Sequence, residues 1–352
     1  MKILLFCPNW IGDVVMATPA IRAIRRLHPD GRLVGIMRPY VSETLAGNPW
    51  LDDVILYDHK SADRQRGTWA VLSRLREEQY DVGVLFTNSL RSALLAWGGA
   101  IRQRVGYARE GRGILLNDSL KIRRSWHGYQ PSPVIDYYLA LAYHLGAASE
   151  SYQMELFTRP EDESRADEIW KKFGFQDSER VIALNPGAAF GSAKRWPSTY
   201  FAELARMLVD QAGVKVLVLC GPSERGFARF ISDGACRPRM VKSLAEEDVS
   251  IGLTKAIMRR MSLLVTTDSG PRHFGAAFGI PVVSLFGPTH IEWTDTHYAG
   301  EKMLQKKLDC GPCQQRVCPL GHLQCMKELT VDQVFAAAMA SLSTSLPILR
   351  SA

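Results

Sequence analysis

Residues 262–287 read SLLVTTDSGPRHFGAAFGIPVVSLFG. An apolar run ends at Asp268-Ser269-Gly270, a helix-like segment PRHFGAAFG follows, and a second apolar run closes the stretch. Parallel neighbours need a crossover, and a helix is the usual one, so strand–helix–strand in this span predicts a parallel sheet. Pro271 suits a first helical turn, where its missing N–H costs nothing. Asp268 or Ser269 can cap that helix.

The same alternation extends in both directions. KILLFC, RLVGIM, DVILYD, DVGVLFTN and QRVGY read as short buried strands in the first half, with helices such as TWAVLSRLREEQY and LRSALLAWGGA between them. Pro19 lies inside the first helix pattern, which predicts a bend there. A polar stretch, FTRPEDESRADE, ends this half, and the alternation restarts with RVIALNPG, KVLVLCG and SLLVTTD. The expected fold class is α/β, with parallel sheets covered by helices on both faces. The boundaries read as 1–158, then 159–335 with a Cys-rich loop at 308–326, then a C-terminal helical segment 336–352 that packs back on the first domain. A chain of 352 residues fits two such domains.

Ligands of open parallel sheets bind outside the carboxyl ends of the strands. Five polar or Gly-rich turns fall at such ends: Gly12-Asp13, NPGAAFGSAKRW, CGPSER, TTDSGPRH and FGPTH. The free N–H groups and dipole of a helix starting at Gly270 suit a diphosphate, and His273 lies one turn in. Lys194 could neutralise charge on a leaving phosphate; an ordinary surface lysine fits the same position. Glu224 could accept from a ribose diol or stand as a solvated helix cap. Asp13 reads equally as a cap of the first helix or as a general base. No Walker motif and no Gly-x-Gly-x-x-Gly after the first strand is present, against P-loop ATPases and common dehydrogenases. No Asp-x-Asp pair ends a strand to hold a catalytic divalent metal.

The net charge of +7 favours anionic partners, or solubility alone. No apolar run reaches the roughly 18 to 20 residues that span a bilayer. The first residues do not read as a signal peptide, and seven cysteines cannot all pair within one chain, so a reducing, cytoplasmic setting is expected.

WIGDVVMATPAIRAIR, LNPGAAFGSAKRWP and TTDSGPRHFGAAFGIPVVSLFGPT, in this order, resemble glycosyltransferase family 9, the ADP-heptose:lipopolysaccharide heptosyltransferases. The resemblance covers nearly the whole chain. NSLRSALLAWGGAIRQRVGY and GILLND look more like the heptosyltransferase II branch than the relatives that add the first heptose. It implies a GT-B fold, two Rossmann-like domains with parallel sheets facing across a cleft. The N-terminal domain would bind a lipid A–Kdo–heptose type acceptor and the C-terminal domain ADP-heptose. Transfer would be inverting, with no required metal or other cofactor, at the inner face of the cytoplasmic membrane as a peripheral protein and with no nucleic-acid partner. Another ADP-sugar-dependent GT-B transferase with a different glycan acceptor is the alternative.

Residue by residue, the resemblance makes Asp13 the general base beside Gly12, and Lys194 a catalytic and donor-phosphate contact. It places Asp268, Ser269, Gly270 and His273 in the donor motif, Glu224 on the ribose and Leu244 beside the adenine. Many family members carry a small or apolar residue where this chain has Pro271-Arg272. Asn88, Arg91, Arg104, Arg109 and Arg112 follow the fourth strand and are the acceptor-binding candidates, because Arg forks suit carboxylates and phosphates.

LDCGPCQQRVCPLGHLQCM contains Cys310, Cys313, Cys318 and Cys325, with His322 nearby. These thiols could form a structural zinc site, stay reduced, or pair as disulfides.

Overall fold

The computed structural model describes residues 1–121, 124–125, 128–129 and 132–344. Residues 345–352, the end of the expected C-terminal helical segment, lie outside the described residues. Contacts divide the chain into two units: Met1–Phe157 with Glu292–His297, and Thr158–Ile291 with the residues from Tyr298 onward.

The first unit holds strands β1 (Lys2–Phe6), β2 (Arg32–Met37), β3 (Asp53–Leu56), β4 (Val82–Leu85), β5 (Gln103–Tyr107) and β6 (Asp118–Leu120). They form one sheet in the order β3-β2-β1-β4-β5-β6, with every neighbouring pair parallel. A short antiparallel ladder, β7 (Arg124–Ser125) and β8 (Gly128–Tyr129), stands apart from it. The second unit holds β9 (Val181–Asn185), β10 (Lys215–Val218), β11 (Val241–Ser243), β12 (Leu263–Thr267), β13 (Val282–Phe286) and β14 (Glu301–Gln305). Its order is β11-β10-β9-β12-β13-β14, again parallel throughout. Each unit thus repeats the Rossmann order, in which the chain winds one way from the first strand and then reverses beside it. The reversal lies between β1 and β4 in one unit and between β9 and β12 in the other.

Apart from the edge strand β3, whose DVIL is apolar enough to be read alone, the strands read from sequence are central ones buried on both faces, which is why they appear as unbroken apolar runs. Leu4, Phe6, Val34, Ile36 and Leu85 lie in one cluster with Val71 and Leu75 of the helix Thr68–Glu78 and Leu95 and Ala96 of the helix Leu90–Gly98. The strands that sequence missed, β6, β11 and β14, are all sheet edges. Their DSL, VKS and EKMLQ carry polar residues because an edge buries less of itself.

The bend predicted at Pro19 is a break between the helices Ile11–Met16 and Thr18–Leu27. Pro19 offers no N–H to the carbonyl of Val15. The Thr18 hydroxyl donates to that oxygen instead, at 2.7 Å, and itself accepts from the Glu155 N–H.

The last helix, Val331–Thr344, lies against the helix Ser198–Ala212 and the strands β12 to β14, and so within the second unit. The segment that joins the first unit from late in the chain is instead Glu292–His297. There, His297 packs on the Tyr152 ring and points Nε2 at Asp136, 3.5 Å away.

Arg22 of the helix Thr18–Leu27 is 2% exposed and donates to the carbonyls of Gln153 and Ser151 and to Glu150. It fastens the strand-like segment before the second unit. Arg22→Met leaves buried acceptors unpaired, although Arg26 still meets Glu150. We expect a loss of about 2 to 4 kcal/mol, read from urea unfolding followed by intrinsic fluorescence.

Candidate functional site

In the second unit the reversal point carries a network of buried charge. Asp268 directly follows β12 and is 5% exposed. Lys194 ends the short turn Ser192–Lys194 on the loop that leaves β9, and is 8% exposed. Its Nζ donates to the Asp268 carboxylate and, at 3.1 Å, to the Asp268 carbonyl. The Thr289 hydroxyl, beyond β13, donates to the same carboxylate oxygen at 2.8 Å. Arg272 stands 3.7 Å from the other oxygen. Burial alone would raise the Asp268 carboxyl. The Lys194 and Arg272 charges and the donated hydrogen bonds outweigh it, and hold the group below its ordinary value.

Arg272 is itself 1% exposed and makes a two-pronged pair with Glu301, the first residue of β14, at 2.5 and 2.9 Å. Its guanidinium lies over the Phe286 ring. Sequence noted the unusual Pro271-Arg272 and missed the partner, because β14 was not read as a strand. Thr289 was inside the quoted FGPTH turn without a role. Asn185, at the end of β9, was also missed: its amide donates to Thr266 and to Ser269, both at 2.8 Å.

Ser269 is the N-cap of the helix Gly270–Ala277 and makes no side-chain cap bond to it. Gly270 is therefore the first helical residue, and the helix N-terminus adjoins the Lys194–Asp268 pair. His273 is 4% exposed and its Nδ1 has no hydrogen-bond partner. Burial, then the Arg272 charge, pushes its pKa down to about 3, so the ring is neutral.

Glu224 accepts from the N–H groups of Ala188 and Gly221, tying the loops after β9 and β10 together. A Cβ on Gly187 would lie 2.6 Å from the Glu224 carboxylate, so that approach requires glycine. Leu244 is fully buried, a core residue.

In the first unit Asp13 lies in the first turn of the helix Ile11–Met16, and Gly12 just before it. Trp10 occupies the N-cap, so Asp13 does not hold the capping position. Burial, with the Asp13 charge behind it, raises the Tyr138 phenol well above its usual value. Asp13 also raises the Tyr40 phenol, after burial and against Arg38. The Tyr40 hydroxyl donates to the Asn9 carbonyl and so holds the turn before Asp13.

A cavity of about 350 Å³ opens at the carboxyl ends of β1 to β4. Its polar lining includes Arg38, His59, Ser89 and Arg91. Slight burial, then the Arg91 and Arg38 charges, lower the His59 imidazole, which registers a positive field there.

The acceptor candidates separate. Arg91 borders this cavity. Arg112 is fully buried and donates to the carbonyls of Tyr107 and Thr87 and to Asn88 Oδ1. Asn88 Oδ1 also accepts from the Tyr137 hydroxyl at 2.6 Å. Arg104 donates to the carbonyls of Leu115 and Ile101. Arg109 meets Tyr137 and Glu110. Arg112 thus spends its fork on two strand-end carbonyls and Asn88, and Arg104 spends Nε and Nη1 on backbone carbonyls.

The profile of glycosyltransferase family 9 (heptosyltransferase) matches residues 68–324. Lipopolysaccharide heptosyltransferase 2 of Escherichia coli K12 is 30% identical over 304 residues, 84% of this chain and 85% of that protein. Lipooligosaccharide heptosyltransferase 2 of Campylobacter jejuni is 26% identical over 347 residues, 98% of this chain and 99% of its own. The solved structure of E. coli ADP-heptose LPS heptosyltransferase II superposes with a TM-score of 0.79 at 24% identity, covering 97% of this chain and 99% of that one. The fold is that GT-B fold.

Removing one partner of a buried pair strands the other. Asp268→Asn and Lys194→Met should each cost about 3 to 5 kcal/mol, and the double variant clearly less than their sum. Urea unfolding of the three variants measures that coupling. His273 carries a second expectation. Its folded pKa is about 3 against an unfolded 6.5, so the unfolded chain takes the proton first. This stabilising contribution is complete above pH 6.5 and falls by about 1.4 kcal/mol per unit as pH drops toward 4. His273→Asn should flatten that part of the pH–stability curve.

Proposed function

The chain belongs to glycosyltransferase family 9, the heptosyltransferases, and we propose that it moves L-glycero-D-manno-heptose from ADP-heptose to the inner core of lipopolysaccharide. The observation that carries this reading is the pair of reversal points. One presents a carboxylate at the start of a helix, and the other a helix N-terminus beside a buried lysine. The named relatives are heptosyltransferases, matched over 98% and 84% of this chain.

The donor is assigned to the second unit. The N–H groups at Gly270 suit the diphosphate, since they carry partial positive charge with no side-chain cap to satisfy them. Lys194 and Arg272 add two cations, offset in the free protein by Asp268 and Glu301. The acceptor is assigned to the first unit. Arg38 and Arg91 would meet the anionic groups of an inner-core saccharide.

Transfer is a single displacement. Asp13 accepts the proton of the attacking acceptor hydroxyl, whose oxygen bonds to the anomeric carbon. The bond from that carbon to the diphosphate oxygen breaks on the opposite face, and ADP leaves with the electron pair. The configuration inverts. Protein dipoles and cations stabilise the departing charge, so the chemical step is assigned no metal.

We place the protein in the cytoplasm, at the inner membrane surface. No helix among the described residues is long and apolar enough to cross a membrane. The helix Leu90–Gly98 nevertheless exposes Leu90, Leu94 and Trp97, at i, i+4 and i+7, with Arg91 on the same exposed side. Trp69 is 83% exposed on the helix Thr68–Glu78, whose Arg76 donates to the Gly98 carbonyl beside Trp97. Apolar side chains flanked by arginines suit an anionic lipid surface. Arg91 also borders the cavity, which would bring a lipid-anchored acceptor to its mouth.

Asp13→Asn keeps size and removes the proton acceptor. Single-turnover transfer should fall by about 10²-fold or more with ADP affinity little changed, the usual scale for a general base. Near-normal transfer by the folded variant would sink the assignment. Co-sedimentation with anionic vesicles tests the membrane face. Leu94→Ser with Trp97→Ser should weaken binding by about tenfold or more, and unchanged binding removes that helix from the interface.

A further inference from the structure

The loop between β14 and the short helix Gln324–Lys327 runs through residues 306–323 without a strand or helix. It leaves Val317 and Leu320 exposed, at 68% and 61%. A loop this long with so little apolar burial needs another source of order. It is nevertheless built tightly into the donor side of the second unit. The Arg316 carbonyl accepts from the Ala193 N–H at 3.0 Å, next to Lys194. The Gln314 N–H donates to the Pro288 carbonyl at 2.7 Å, next to Thr289. A Cβ on Gly191 would lie 2.2 Å from the Arg316 oxygen, so the two backbones touch only because Gly191 has none.

All four cysteines of the loop region, Cys310, Cys313, Cys318 and Cys325, line one cavity of about 30 Å³ together with His322. All are free thiols. The Gly321 N–H donates to the Cys318 carbonyl at 3.1 Å and closes a turn over residues 318–321. Gly321 and Leu323 have positive φ. His322 Nδ1 accepts from the Gln324 N–H at 3.0 Å, so the proton of the neutral ring sits on Nε2. That nitrogen faces the Cys310 sulfur at 4.0 Å. It is placed to donate to a thiolate, as outer partners of metal-bound sulfur do. Cys325 stands on the helix Gln324–Lys327, whose Met326 is fully buried against Gly287.

We propose that Cys310, Cys313, Cys318 and Cys325 bind one thiolate-preferring divalent metal, zinc before iron, and that this ion fixes the loop as a buttress for the Lys194 loop. Among the described residues no three of these groups stand at ligand spacing around a common point. Binding therefore requires the Cys310–Cys313 and Cys318–Gly321 turns to close on the cavity until four sulfurs lie about 2.3 Å from the ion. Each thiol loses its proton to solvent and gives a sulfur lone pair to the metal; no oxidation is involved. The ion is structural. It acts on the donor site through the Arg316–Ala193 and Gln314–Pro288 bonds and takes no part in the displacement.

Elemental analysis of the full-length protein, purified without chelator, is the test, and it does not depend on the protein being a transferase. About one equivalent of zinc or iron is expected, with zinc restoring that content after chelation. Cys310→Ser with Cys325→Ser should lower the content at least tenfold, while Cys236→Ser leaves it unchanged. Metal removal should lower the melting temperature, weaken ADP binding, and open the four thiols to a disulfide reagent. The inference is overturned by protein holding less than about a tenth of an equivalent that added Zn²⁺ does not raise. It is equally overturned if the double serine variant keeps wild-type metal content, or if Zn²⁺ leaves the loop thiols as reactive as before.

Discussion

The second unit is organised around one buried contact, the pairing of Lys194 with Asp268. Two charges taken out of water are tolerated only when each is met by an opposite charge and further hydrogen bonds. Asp268 meets this condition by drawing on Lys194 from the loop after β9, Thr289 from beyond β13 and Arg272 from its own helix. Arg272 in turn requires Glu301, which fastens the edge strand β14. Desolvation thus forces several separate strand ends into one arrangement. The result leaves the N-terminus of the Gly270 helix beside a neutralised set of charges, with no side-chain cap over it.

The two units use one topology in different ways. In the second, the reversal point is closed by ion pairs. In the first, buried arginines brace the backbone: Arg112 holds the carbonyls at the ends of β4 and β5, and Arg22 holds the segment before the second unit. That bracing leaves a cavity where Arg38 and Arg91 face His59. An arginine whose donors are spent on carbonyls shapes such a cavity, whereas one with free donors can recognise an anion. The division suits a reaction that must bind an anionic acceptor and a diphosphate leaving group on separate surfaces.

Most of the fold was legible because a doubly covered parallel sheet writes its central strands as unbroken apolar runs. KILLF, VIALN and LLVTT need no partner to be recognised. VKS and EKMLQ do, since an edge strand takes its pairing from a neighbour far away in the chain. The site followed the same rule. Turns at strand ends were visible as Gly, Pro and Asp in sequence. What each charge meets was not, because Arg272–Glu301 and Arg112–Asn88 join distant residues. The arginine cluster after β4 illustrates the cost: sequence counts guanidinium groups and cannot tell which have spent their donors. Leu244, which the resemblance places beside the adenine, is a fully buried side chain.

The central claim is that this chain transfers heptose by a single inverting displacement. The most direct test incubates the wild-type protein with ADP-heptose and a purified Kdo–heptose lipid A acceptor, and follows the product by mass spectrometry and by nuclear magnetic resonance of the new anomeric centre. The account predicts one added heptose, of anomeric configuration opposite to that of the donor, with ADP released in equal amount. A product of retained configuration, or folded protein that binds ADP and transfers no heptose, would contradict it.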